Sequence, residues 1–133
     1  MELRTVQVFI ASALVLAGAI VFTRKARAEP TPDEQVIAQL KKAGSDLSKS
    51  HAIEFYLYFQ SQEAASSAAE RVKNLGFAIV RVDPAASGPG WLLLASKGMV
   101  PTKAAMAEIR ARLDAIAKAG NGEYDGWEAE VTK

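Results

Sequence analysis

Ile53-Glu54-Phe55-Tyr56-Leu57-Tyr58-Phe59-Gln60 alternates without a break. Ile53, Phe55, Leu57 and Phe59 fall on one side of an extended chain, and Glu54, Tyr56, Tyr58 and Gln60 on the other. A period of two over eight positions predicts a strand with one face on a core and one face more polar. The segments on either side say what that strand belongs to.

Downstream, Ser61 caps a helix over residues 62–75, with Ala65, Ala68, Val72 and Leu75 inward and Gly76 as the stop. Residues 77–82 read as a second strand that ends at Asp83-Pro84. Ala85 to Gly90 is a hairpin loop, and residues 91–96 form a third strand, apolar at nearly every position. An apolar run of that kind suits a central strand covered on both sides. Pro101 and Thr102 open another helix, whose buried stripe is Met106, Ile109, Leu113 and Ile116. Gly120-Asn121-Gly122 ends it, and residues 123–131 supply a last strand.

Upstream, Thr31 is an N-cap, Pro32 takes the first helical position and Glu34 completes a capping box. Val36, Ile37, Leu40 and Ala43 share one face of this leading helix before Gly44. The order is a helix followed by βαββαβ. Two such halves joined by a hairpin predict an α+β, ferredoxin-like sandwich with four antiparallel strands, the first and third central. The leading helix is additional; it either covers part of the open sheet face or stands between the domain and a membrane.

The membrane enters through residues 1–28. From Thr5 to Thr23 there is no charge, and nineteen residues as a helix span about 28 Å, near the thickness of a bilayer core. Arg24, Lys25 and Arg27 follow the run, whereas Arg4 before it is offset by Glu2. The net charge is +3 over residues 1–28 and −2 over residues 29–133 (12 Lys/Arg against 14 Asp/Glu). Cations stay in the cytoplasm, so residues 1–28 read as a single-pass inner-membrane anchor with the 29–133 domain facing the cytoplasm. The alternative is a signal peptide cut near Ala28, after Ala26-Arg27-Ala28, which exports the domain to the periplasm. Two features favour the anchor: the run exceeds a usual signal core, and cations separate it from the cleavage site.

The chemistry-bearing residues are few. No cysteine is present, and a lone histidine, His51, does not make a multi-histidine metal site; it reads as a surface or capping residue. The glycine clusters at 88–90 and 120–122 lack the lysine and strand-to-helix setting of a phosphate loop. Neither a catalytic constellation nor a cofactor site is expected. Tyr56 and Tyr58 on an open sheet face suggest base stacking, as in RNA-recognition modules. Glu54 on the same face, the negative domain and the absent basic-aromatic motif oppose direct nucleic-acid binding. Packing under the leading helix or in a homodimer remains open for these tyrosines. Trp127, in the run from Glu123 to Glu128, fits either a core aromatic with a hydrogen-bonded tip or an anchor for a protein partner.

Taken in order, Gly44-Ser45-Asp46-Leu47-Ser48-Lys49, the strand at 53–59, Gly76-Phe77, the run from Trp91 to Ala95 and the run from Gly122 to Glu128 resemble the ribonuclease E inhibitor B family, regulators of ribonuclease E activity. The resemblance covers about residues 36–131, and its most specific parts are G-x-D-L-S-K and Y-D-G-W-E. Ser50 stands where the family pattern has proline, and relatives of this kind lack a membrane span. The resemblance implies a ferredoxin-like, non-enzymatic domain that binds ribonuclease E outside its catalytic part and inhibits cleavage. Ribonuclease E assemblies associate with the inner membrane, which suits a cytoplasm-facing anchor. Asp46, Leu47, Lys49, Tyr56, Tyr58, Tyr124, Asp125 and Trp127 are the candidate contact residues. An envelope adaptor that keeps the fold without a nuclease partner is the alternative function.

Overall fold

The computed structural model describes residues 29–133 and the backbone of Thr5–Gln7. The elements are β1 (Thr5–Gln7), α1 (Pro32–Lys42), β2 (His51–Phe59), α2 (Gln62–Asn74), β3 (Ala78–Pro84), β4 (Trp91–Met99), α3 (Lys103–Ala119) and β5 (Glu123–Glu130). All strand pairs are antiparallel, in the order β1-β5-β2-β4-β3. The two strands expected at the centre, β2 and β4, are there. The alternation that predicts β2 holds at every position: Ile53, Phe55 and Leu57 are fully buried and Phe59 nearly so.

Local signals set the helix ends. The Thr31 hydroxyl accepts from Glu34 N–H at 3.1 Å while the Glu34 carboxylate accepts from Thr31 N–H at 2.8 Å, closing the capping box. Ser61 and Thr102 cap α2 and α3 by accepting from Ala64 and Ala105 N–H. The helices then bury the small stripe of α2 (Ala65, Ala68, Ala69, Val72) and the larger one of α3 (Met106, Ile109, Leu113, Ala117) on the β2 side chains. Phe55 meets Phe77 edge to face at 5.2 Å between ring centroids.

Three expectations are corrected. The leading helix neither covers the open sheet face nor stands apart; Val36 and Leu40 join the same core as α2 and α3. Two helices leave the β5 end of that sheet face bare, and α1 fills it beside α3. Strand β3 runs through Asp83 and Pro84 to pair Pro84 with Trp91. It is an edge strand, so the missing proline N–H breaks no inner ladder. Thr5–Gln7, expected to begin the membrane span, adds a fifth strand on β5, with Thr5 opposite Glu130, Val6 opposite Ala129 and Gln7 opposite Glu128. A short β-branched alternation suits a free sheet edge as well as it suits a bilayer. The rest of the expected span, residues 8–23, lies outside the described residues. Among those described, no helix is long and apolar enough to cross a membrane.

One irregularity shapes the site. Along β5 the partners of β2 shift between Tyr56, opposite Gly126, and Leu57, opposite Tyr124, so Asp125 is an extra residue in a bulge. Without it, Tyr124 and Trp127, three positions apart, would point to opposite faces. With it, both register on the core side, opposite Leu57 and Phe55. Gly126 sits at φ +110° with open space where a Cβ would stand. Its requirement is conformational, not steric. Gly126→Ala is expected to lower stability by about 1–2 kcal/mol, read as a lower urea midpoint.

Candidate functional site

Tyr124 to Trp127 of the Y-D-G-W-E run gather around one buried carboxylate that sequence reasoning missed. Asp33, in the first turn of α1, is 4% exposed. Its Oδ1 accepts from Trp127 Nε1 at 3.1 Å, and its Oδ2 accepts from Arg110 Nε at 3.0 Å. This node ties α1, β5 and α3 together, and it makes Trp127 a core aromatic with a hydrogen-bonded tip. Beside it opens a shallow pocket of about 150 Å³ lined by Pro32, Asp33, Arg110, Asp114, Tyr124, Asp125 and Gly126. Burial, aided by Asp33, holds the Tyr124 hydroxyl well above its ordinary value, and burial beside Glu123 raises the Asp125 carboxyl. A protonated phenol and a carboxylate of raised pKa can donate and accept hydrogen bonds from a partner.

The G-S-D-L-S-K loop lies elsewhere, at the chain's C-terminal end. His51, expected as a surface or capping residue, is buried at 1% exposure, which removes the surface role. Its Nδ1–H donates to the Lys49 carbonyl at 2.8 Å, and its Nε2 is hydrogen-bonded to the Ser45 hydroxyl at 2.6 Å, which also lies 3.2 Å from the Thr132 carbonyl. The same hydroxyl oxygen accepts from Thr132 N–H at 2.8 Å, and Asp46 N–H donates to the Thr132 carbonyl. A serine so enclosed is a fastening for the C-terminal strand, not a nucleophile. Asp46 accepts from the Ser48 hydroxyl and N–H, which hold its carboxyl below the usual range. Leu47 packs against the core, and Lys49 Nζ donates to the Lys133 carbonyl at 2.9 Å. Asp46 and Lys49 are exposed, so they alone of this loop's three candidates present charge to a partner.

Tyr56 and Tyr58 lie on the sheet face away from the helices, with Leu92 and Leu94 across from them. The Tyr56 hydroxyl donates to Glu128 Oε2 at 2.6 Å. Glu54 stands directly opposite Glu128, and Arg81 on this face pairs with Asp83 at 3.0 Å. Burial and Glu128 raise the Tyr56 hydroxyl's pKa; burial, then the Glu128 charge, raise that of Glu54. Carboxylates beside the tyrosines repel a phosphate backbone, which argues against base stacking here.

The Glu54 shift has a pH consequence. A carboxyl raised in the folded chain binds more protons there than when unfolded, so its contribution is full below the unfolded value and is lost as pH rises through the raised one. Glu54→Gln is therefore expected to raise Tm at about pH 7 and to leave it unchanged near pH 4, with solvent screening keeping the gain below about 1 kcal/mol.

The candidate residues thus separate into three places: Tyr124, Asp125 and Trp127 at the α1–β5–α3 pocket, Asp46, Leu47 and Lys49 at the C-terminal fastening, and Tyr56 and Tyr58 on the acidic face. Among the described residues no group of His, Cys, Asp and Glu is arranged to hold a metal ion. The described residues form a small antiparallel α+β domain with internal polar fastenings and an acidic sheet face. Residues 31–129 match the family model for regulator of ribonuclease activity B. The chain belongs to that family of regulators, as the sequence resemblance implies. No curated protein matches it.

Proposed function

We propose that the chain is a membrane-attached, non-enzymatic regulator that inhibits ribonuclease E-type RNA degradation through protein contact, on a ferredoxin-like domain facing the cytoplasm. The observation that carries this reading is the family match across nearly the whole of the described domain. The strand order supports the ferredoxin-like assignment. The internal use of Ser45, His51 and Asp33 supports contact over catalysis, since each is held by structural partners.

The anchor and β1 constrain each other. With Thr5–Gln7 in the sheet of the domain that resumes at Glu29, a single crossing between them requires that strand to be released. Three edge residues contribute only a few hydrogen bonds, each about 0.5–1.5 kcal/mol net. Sixteen uncharged residues in a bilayer gain far more, about 0.8 kcal/mol for each buried CH₂. Insertion wins when a membrane is present.

A reporter fused after Lys133 tests the topology. Cytoplasmic activity, with ribonuclease E co-isolating from intact membranes, is the expected result. Activity only in the periplasm would sink the regulatory role and favour an envelope adaptor.

A further inference from the structure

Beyond the family's regulatory role, the outer edge of β5 is the feature whose chemistry is least accounted for. Its last three residues, Glu128, Ala129 and Glu130, are paired by a strand of only three residues from the far end of the chain. Around them lies a cleft of about 160 Å³ lined by Ala52, Glu54, Glu128, Ala129 and Glu130. Three carboxylates meet there, and Glu128 Oε1 is buried without a hydrogen-bond partner among the described residues. Burial, then the Glu128 charge, raise the Glu54 carboxyl against the pull of Arg81, so the three carboxylates favour a further cation. The residues now opposite Glu130 and Glu128 are Thr5 and Gln7, which bring none.

We propose that the β5 edge is a strand-addition site for an extended basic segment of a protein partner, with Thr5–Gln7 as its resident occupant. A partner strand in the same register would set a β-branched residue opposite Ala129, in place of Val6. Lys or Arg in place of Thr5 and Gln7 would then face Glu130 and Glu128. Opposite charges directly across a strand pair attract, whereas the resident pairs gain nothing from charge. Backbone pairing supplies affinity and the alternate side chains supply selectivity, as in other edge-strand recognition. Insertion of residues 8–23 into a bilayer would withdraw the resident strand and clear the edge. Membrane attachment and partner binding are then coupled. This rests on the proposed reading of the chain as a protein-contact regulator and names the surface it uses.

The test uses the full chain in dilute buffer without detergent or lipid, where the resident strand stays paired, and a short fluorescent peptide alternating Lys and Val. Anisotropy should report saturable binding. Val6→Pro, which removes the resident pairing, should tighten it by about tenfold, the equivalent of 1.4 kcal/mol. Glu128→Gln with Glu130→Gln should weaken it by about fivefold. A Glu-Val peptide, and a Lys-Pro peptide of the same charge that cannot pair as a strand, should both fail to bind. Amide exchange in β5 of the Val6→Pro chain should be slowed by the Lys-Val peptide. Equal binding of the Lys-Pro peptide would overturn the proposal, since charge alone would explain it. Binding unaffected by either set of substitutions would also overturn it, and so would a Val6→Pro chain that sediments as a dimer and excludes the peptide. If ribonuclease E binds the chain while the peptide does not, the edge assignment fails and the regulatory reading stands. If neither binds, both fail.

Discussion

Asp33→Ala is expected to lower the domain's stability by about 3 kcal/mol, the low end for breaking a buried charge pair. Two losses combine. The Trp127 indole N–H, on a side chain 3% exposed, loses its acceptor, and an unmet buried donor costs about 1–3 kcal/mol. Arg110 loses its counter-charge, but its side chain is 32% exposed and can turn to water, which keeps the total from rising further. Asp33→Asn should cost less, because an amide oxygen still accepts from the indole. Trp127→Phe should cost less than the alanine change as well, since it removes a donor and leaves Asp33 with Arg110. Urea titrations of the three variants check the order, and a double-mutant cycle of Asp33 with Trp127 should show coupling. If Asp33→Ala unfolds at the urea midpoint of the unsubstituted chain, the node does not fasten the layers.

The second large effect is expected at Gly122, in the turn between α3 and β5. A Cβ built there would lie 2.3 Å from the Tyr58 carbonyl oxygen and 2.5 Å from the Phe59 ring. The carbonyl belongs to the central strand and cannot swing aside as a surface side chain would. Gly122→Ala should therefore cost about 3 kcal/mol, the upper end for overpacking. At about 4–8 °C per kcal/mol for a domain of this size, the Tm should fall by over 10 °C. Gly126→Ala, where space is open and only φ is strained, must come out milder. The reverse order would mean that β5 is held by its bulge and not by the close approach of its first turn.

These two sites also show what could be read before the fold was known. Gly122 was legible as a helix breaker, because glycine pairs after an apolar stripe end helices through local backbone freedom. Its contact with Tyr58 was not, since the sequence does not say which strand passes behind the turn. Asp33 looked like an ordinary acidic residue in a helix's first turn. Its partners are 77 and 94 positions away, beyond any periodicity. The β2 alternation, the Thr31 capping box and the central places of β2 and β4 were all legible, being set by neighbours in sequence. The Y-D-G-W-E run was legible as a motif, but its bulge was not. The odd spacing of Tyr124 and Trp127 on one sheet face was the available signal. The pairing of Thr5–Gln7 with β5 was not legible, because hydropathy does not distinguish a sheet edge from a bilayer.

The regulatory account is tested most directly by RNA cleavage in a purified system. Full-length ribonuclease E, a fluorescent RNA substrate and the full chain in lipid nanodiscs are combined at increasing chain concentration. A saturable fall in cleavage rate is expected, and it should disappear when ribonuclease E is truncated to its catalytic part. A cleavage rate that stays constant up to saturating chain would contradict the regulatory account.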